Sequence, residues 1–157
     1  VEPSGSFFNE KKGWNIMKQV ALFIFGLLGS FLANLLGGWD MFLQVLVGVM
    51  AADFITGLVV AGVFKKSNKT ETGALSSRAG WQGLCKKGMT LVIVYVGAMV
   101  DKVSGTEIVR NAIIIGYIAN DALSIVENAG LMGMWVPKFL KDAIEILKKK
   151  SEGDTDE

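Results

Sequence analysis

Residues 46–64 read LVGVMAADFITGLVVAGVF, eighteen uncharged residues around a single aspartate, Asp53. Whether that apolar run is the inside of a protein or of a bilayer decides the fold. The uncharged run reaches back to Met41, so 41–64 places Asp53 near its midpoint. About 20 apolar residues of helix cross a bilayer's hydrocarbon layer, and this stretch is long enough to do so.

The flanking sequence repeats the pattern. Residues 19–39, QVALFIFGLLGSFLANLLGGW, carry no charge. Lys18 ahead of them resembles the start of a secretory signal, but the apolar stretch is too long and lacks an A-x-A-like cleavage site. Met17 offers an alternative start. A third span, 85–103, is built around GMTLVIVYVGAMV (88–100) with lysines and Asp101 at its ends. A fourth, 107–127, reads EIVRNAIIIGYIANDALSIVE and carries Arg110 and Asp121 inside it. The chain has 157 residues, 51% of them hydrophobic, and a mean hydropathy of +0.43. A soluble domain of this size would alternate polar and apolar residues far more often. The third and fourth runs taken singly also suit buried helices of a soluble protein, and charge placement decides against that. The expected fold is an all-α integral membrane protein with four transmembrane helices.

Charge placement orients it. Basic residues near membrane segments stay on the cytoplasmic side. Lys11, Lys12 and Lys18 precede the first span. Lys65, Lys66, Lys69, Arg78, Lys86 and Lys87 fall in 65–87, and Lys138, Lys141, Lys148, Lys149 and Lys150 follow the fourth. Four crossings with both termini inside put all of these on one side and leave only Lys102 and Arg110 opposite. Residues 1–18 then form a cytoplasmic tail, 19–127 the membrane domain, 128–150 an interfacial segment, and 151–157 an acidic disordered tail.

The chain has no histidine, and Cys85 is its one cysteine. An intrachain disulfide and a His/Cys metal site are therefore excluded. No phosphate-binding, metalloprotease or nucleophile-elbow string occurs. Neither an enzyme nor a cofactor is expected, nor a nucleic-acid partner.

A carboxylate at a bilayer midplane costs roughly +2.5 to +3.5 kcal/mol on insertion scales. Asp53 must therefore be protonated, paired or facing water, and the reading is an isolated, uncharged acid hydrogen-bonded to a neighbouring helix until water reaches it. On the fourth span Arg110, Tyr117, Asp121, Ser124 and Asn128 share one line, opposite Ile115, Ile118 and Ala119. On the third, Thr90, Gly97 and Asp101 align likewise. With Asn120 beside the stripe, Asp53, Asp101, Arg110, Tyr117, Asn120, Asp121 and Ser124 are the candidates for a pore lining or subunit interface. Gly29, Ala33 and Gly37, and Gly48, Ala52 and Thr56, recur at four-residue spacing and suit close helix contacts, including those between copies of the chain. Trp135 suits a headgroup position. After Pro137, Phe139, Leu140, Ala143, Ile144 and Leu147 form an apolar face opposite Lys138, Lys141, Asp142, Glu145 and Lys148. That amphipathic helix, with Lys149 and Lys150, is expected on the inner membrane surface against anionic lipid, with docking on another subunit as the alternative.

Four stretches in order, ADFITGLVVAG (52–62), LSSRAGWQGLCKK (75–87), GAMVD (97–101) and NDALSIVENAGLMGMWVPKFL (120–140), resemble the phage-lysis and toxin-secretion holins. The family pattern has Glu where this chain has Asp121, so the acid is kept. The resemblance implies a protein of the bacterial cytoplasmic membrane that self-associates and opens lesions. Those lesions collapse the proton gradient and release an endolysin or a toxin. An antiholin is a further partner of such systems. A small ion channel or carrier, and a membrane anchoring protein, are the rival readings; solute size separates them.

Overall fold

A computed structural model of the chain describes residues 4–70 and 72–152. All regular structure among them is helical: α1 (Ser4–Leu35), α2 (Met41–Val59), α3 (Ser77–Ser104), α4 (Ile108–Leu131) and α5 (Lys138–Glu152). A π-helical turn, Val60–Phe64, extends α2. Four helices are long and apolar enough to cross a membrane: Trp14–Leu35, Met41–Phe64, Ser77–Ser104 and Ile108–Leu131.

The described chain falls into two units, one ending at Trp39 and one beginning at Asp40. The first holds α1, which starts well before the expected span because nothing between Ser4 and Lys18 breaks a helix. It ends at Leu35, where the Gly38 N–H bonds back to the Ala33 carbonyl at 2.8 Å. Gly37 lies past that end with φ 88°, a left-handed conformation that suits glycine. The small-residue face predicted on this helix therefore stops at Ala33.

In the second unit α4 is the centre, with α2, α3 and α5 packed against it. Asp40 starts α2 by accepting a bond from the Leu43 N–H at 2.9 Å, a side-chain cap for one of the helix's orphan donors. Contacts between side chains fix the directions. Asp40 meets Arg110, and Thr56 meets Asn128, so α2 and α4 run parallel. Gly97 meets Arg110 and Ile113, and Lys87 meets Asp121, so α3 runs antiparallel to both.

Helices α2, α3 and α4 each bury a seam with heptad-like spacing, the pattern of helices packed side by side. On α2 it is Leu43, Leu46, Met50, Asp53 and, beyond the last α-helical turn, Val60. On α3 it is Thr90, Val94, Gly97, Ala98 and Asp101; on α4, Arg110, Ile114, Asp121 and Asn128, with Ala119 and Val126 buried beside them. Leu43, Leu46, Val60, Val94 and Ile114 form the fully buried apolar centre. Where α3 crosses α4, a methyl on Gly97 would come within 2.6 Å of Ile113 Cδ1 and 3.1 Å of Arg110 Cα. Only glycine allows that approach.

Two further features differ from the sequence reading. Helix α3 begins at Ser77 instead of Cys85, so Lys86 and Lys87 lie inside a helix and not in a loop. Helix α5 packs back against α4 of its own chain, an arrangement neither expected alternative contained. It leaves Phe139 and Ile146 exposed, together with Lys138, Lys141 and Lys149. The side chains of Lys148 and Lys150, and residues 153–157, lie outside the described residues.

Candidate functional site

Asp53 sits on the buried seam of α2, where a leucine or valine would ordinarily be. The sequence raised the problem of an isolated acid, and the structure removes the isolation. Lys87 of α3 places its Nζ 2.7 Å from Asp53 Oδ2 and 2.6 Å from Asp121 Oδ2 of α4. One ammonium thus joins three helices. Asp53 is 6% exposed and Asp121 7%. All three residues lie ten or eleven positions from the helix ends at Phe64, Ser77 and Leu131, which is roughly 15 Å at 1.5 Å per residue. That is about half of a ~30 Å hydrocarbon layer.

Two carboxylates share one ammonium, and Asp53 Oδ1 is buried with no hydrogen-bond partner. A buried carboxylate oxygen without a donor is costly, and a polar cavity lies beside it. A cavity of about 560 Å³ lies between α3 and α4, lined by Asp53, Lys87, Tyr117, Asn120, Asp121 and Ser124 among others. It is polar enough and large enough for on the order of ten water molecules. Three members of the α4 stripe, Tyr117, Asp121 and Ser124, with Asn120 beside them, therefore line one cavity with Asp53.

Arg110 and Asp101 are not in this group. They stand at the opposite end of the unit, where Arg110 forms a two-pronged pair with Asp40, Nη1 to Oδ2 at 2.6 Å and Nη2 to Oδ1 at 3.1 Å. Asp101 accepts from the Arg110 N–H at 2.7 Å, the Val109 N–H at 3.0 Å and the Thr106 hydroxyl. It caps α4 from the end of α3, an acceptor at the positive end of a helix. This cluster ties three helix ends together.

The Arg110 guanidinium holds the Asp40 carboxyl below the ordinary aspartate range; partial burial opposes that and the Leu43 N–H supports it. A depressed folded value means the pair's contribution is fully present above the unfolded aspartate value and is lost as pH falls through the folded one. Thermal stability in detergent is therefore expected to be insensitive to this pair from pH 7 down to about 4 and to fall below that. Asp40→Asn should remove that part of the acid sensitivity, as melting curves at stepped pH will show.

The other sequence-predicted residues are used differently. Thr56 accepts a bond from Asn128 Nδ2 at 3.0 Å and so joins α2 to α4 within the chain. Ala52 is half-buried, and Gly48 is exposed, with nothing within 4 Å of where a methyl on it would stand. Gly29 likewise has open space around it, and Trp135 is 85% exposed in the turn before α5.

Residues 30–149 match the family model described as the bacteriophage holin family, far more than half of the chain. The chain belongs to the bacteriophage holin family. The chain is 38% identical over 133 residues to an uncharacterized protein of Listeria monocytogenes, covering 83% of the chain and 89% of the relative. An uncharacterized 14.9 kDa protein of Clostridium perfringens is 34% identical over 125 residues, 78% of the chain and 89% of the relative. A probable holin of Bacillus phage phi105 is 27% identical over 116 residues, 73% of the chain and 80% of the relative. No solved structure matches. Family membership and four spanning-capable helices make this holin a multi-pass protein of the cytoplasmic membrane. The matched residues take in the Lys87 layer and the Arg110 cluster alike.

Proposed function

We propose that this holin self-associates in the cytoplasmic membrane and opens lesions that collapse the proton gradient and release a cell-wall hydrolase or a toxin. The observation that carries the reading is the cavity lined by Lys87, Asp53 and Asp121, three charged residues about half a bilayer's hydrocarbon thickness from the helix ends. Ionisable residues at such depth mark pathways for water and ions more often than packing, because packing is served better by leucine. The exposed Gly48 on α2, beside the half-buried Ala52, supplies a face on which a second copy packs. Both termini and the loop before α3 are assigned to the cytoplasm on the distribution of basic residues.

Inducible expression in a bacterium tests this directly, with dye entry and release of a reporter enzyme followed together. Release of both is the expected result. Dye or ion leakage without the enzyme would make the protein a small channel, and neither would leave an anchoring protein. In a Cys85→Ser background, single cysteines at positions 39 and 104 should label from outside and one at position 70 should not. Strong outside labelling at 70 overturns the orientation.

A further inference from the structure

The two halves of α3 are held in different ways. Every buried residue of α3 lies at or beyond Thr90, and Gly97 and Asp101 lock that half onto α4. Ser77 to Met89 contain no buried residue. On one side of this N-terminal half lies the cavity of about 560 Å³ facing α4; on the other lies a smaller one, about 70 Å³, facing α2 at Asp53, Phe54 and Gly57. Lys87 and Asp53 border both cavities, so the ammonium crosses the gap between them. Gly80, Gly83 and Gly88 fall in the same half, and glycine inside a helix weakens it relative to alanine.

From these observations we infer that the N-terminal half of α3 is a gate, hinged near Thr90–Gly97 and latched shut by Lys87. When the latch holds, Lys87 draws α3 towards Asp53 and Asp121 at once. When it parts, the half-helix swings out, the two cavities merge, and water reaches the seam of α2 and α4 at the level of Asp53. The C-terminal half does not move, because the Gly97 crossing and the Asp101 cap fix it to α4. Two excess features of the site then have a purpose. The second carboxylate gives Lys87 a bond to each neighbouring helix, and the unpartnered Asp53 oxygen keeps a strong acceptor ready for incoming water. The gate's use rests on the lesion reading above, but the motion does not.

Water access to single cysteines reports the motion, since thiols react as thiolates and need water to ionise. Thr90→Cys and Ser124→Cys border the large cavity, and Ala98→Cys, buried in the locked half, is the control, all in a Cys85→Ser background. The purified chain in lipid vesicles is treated with a charged methanethiosulfonate reagent. Adding Lys87→Met removes both charge-assisted bonds and should raise the rates at 90 and 124 by at least roughly ten- to a hundredfold, the factor expected for the loss of one of them alone. The rate at 98 should stay unchanged. An equal rise at all three positions, or no rise at 90 and 124, overturns the gate. If the Met variant does not accumulate, Lys87→Gln takes its place: a rise at 90 and 124 with 98 unchanged is expected, and no rise at 90 and 124 overturns the gate. Enzyme release is scored separately, so a chain that gates but releases nothing refutes the lesion reading alone.

Discussion

Lys87→Met should cost the folded bundle about 3–5 kcal/mol, the loss typical when one partner of a buried ion pair is removed. Asp53 and Asp121 would then lose the one ammonium that bonds both of them, and a second Asp53 oxygen would join the one that already lacks a donor. The same substitution makes α3 easier to insert. A lysine deep in a span costs roughly 2.5–3.5 kcal/mol on insertion scales, and methionine costs far less. Two measurements should therefore move in opposite directions. The amount of chain in the membrane should hold or rise, and the denaturant or temperature needed to unfold it in mild detergent should fall sharply. Lys87→Arg keeps a donor for each acid and should lose much less. If Lys87→Met melts like the parent chain, the three-helix ion pairing contributes nothing to stability, and the layer is held by apolar contacts such as Leu46 and Ile114.

The helices were legible because length and apolarity carry that signal directly. Met41 to Phe64 was recovered to the residue, since Asp40 before an apolar run is both a charge boundary and a helix cap. Spacing put Tyr117, Asp121 and Ser124 of α4 on one line, and they line one cavity, but Arg110 and Asn128 of the same line go to Asp40 and Thr56 instead. Asp53 was legible from its depth. Lys87 was not, and the reason is specific. Basic residues between apolar runs read as loop because loops are where the cytoplasmic side collects them. The contrary signal was one step away: the α3 line through Thr90, Gly97 and Asp101, extended three residues back, falls on Lys87. The stretch from Ser77 also contains no proline and no cap that would end a helix. The partner of Arg110 was missed for another reason. A capping aspartate outside the span was counted as boundary, although a bidentate match for a buried guanidinium had to come from somewhere. The packing of α5 on α4 had no sequence signature, because an amphipathic face is equally suited to lipid and to protein.

The triple substitution Asp53→Leu, Lys87→Met, Asp121→Leu should give a chain at least as stable as the parent and unable to lyse. Replacing a buried ion cluster with apolar residues of similar size is often neutral or stabilising by about 1–4 kcal/mol, because the desolvation of the charges is no longer needed. Here the replacements are larger than aspartate, but the cavity of about 560 Å³ beside them can take the added carbon. Insertion improves as well, since all three charges leave the apolar layer. A purely structural role for the layer predicts that such a chain works as well as it folds. A role in admitting water predicts the reverse, because the buried end of the cavity loses the three charges that draw water in and α3 gains apolar packing where it had a latch. Unfolding in detergent, crosslinked multimers and enzyme release, measured on the same preparation at matched protein levels, separate the two. Stability and multimers retained with release abolished is the expected result. A normal lysis schedule from the all-apolar variant would mean that lesions form along another surface, and that Asp53, Lys87 and Asp121 are costly ways of holding three helices together.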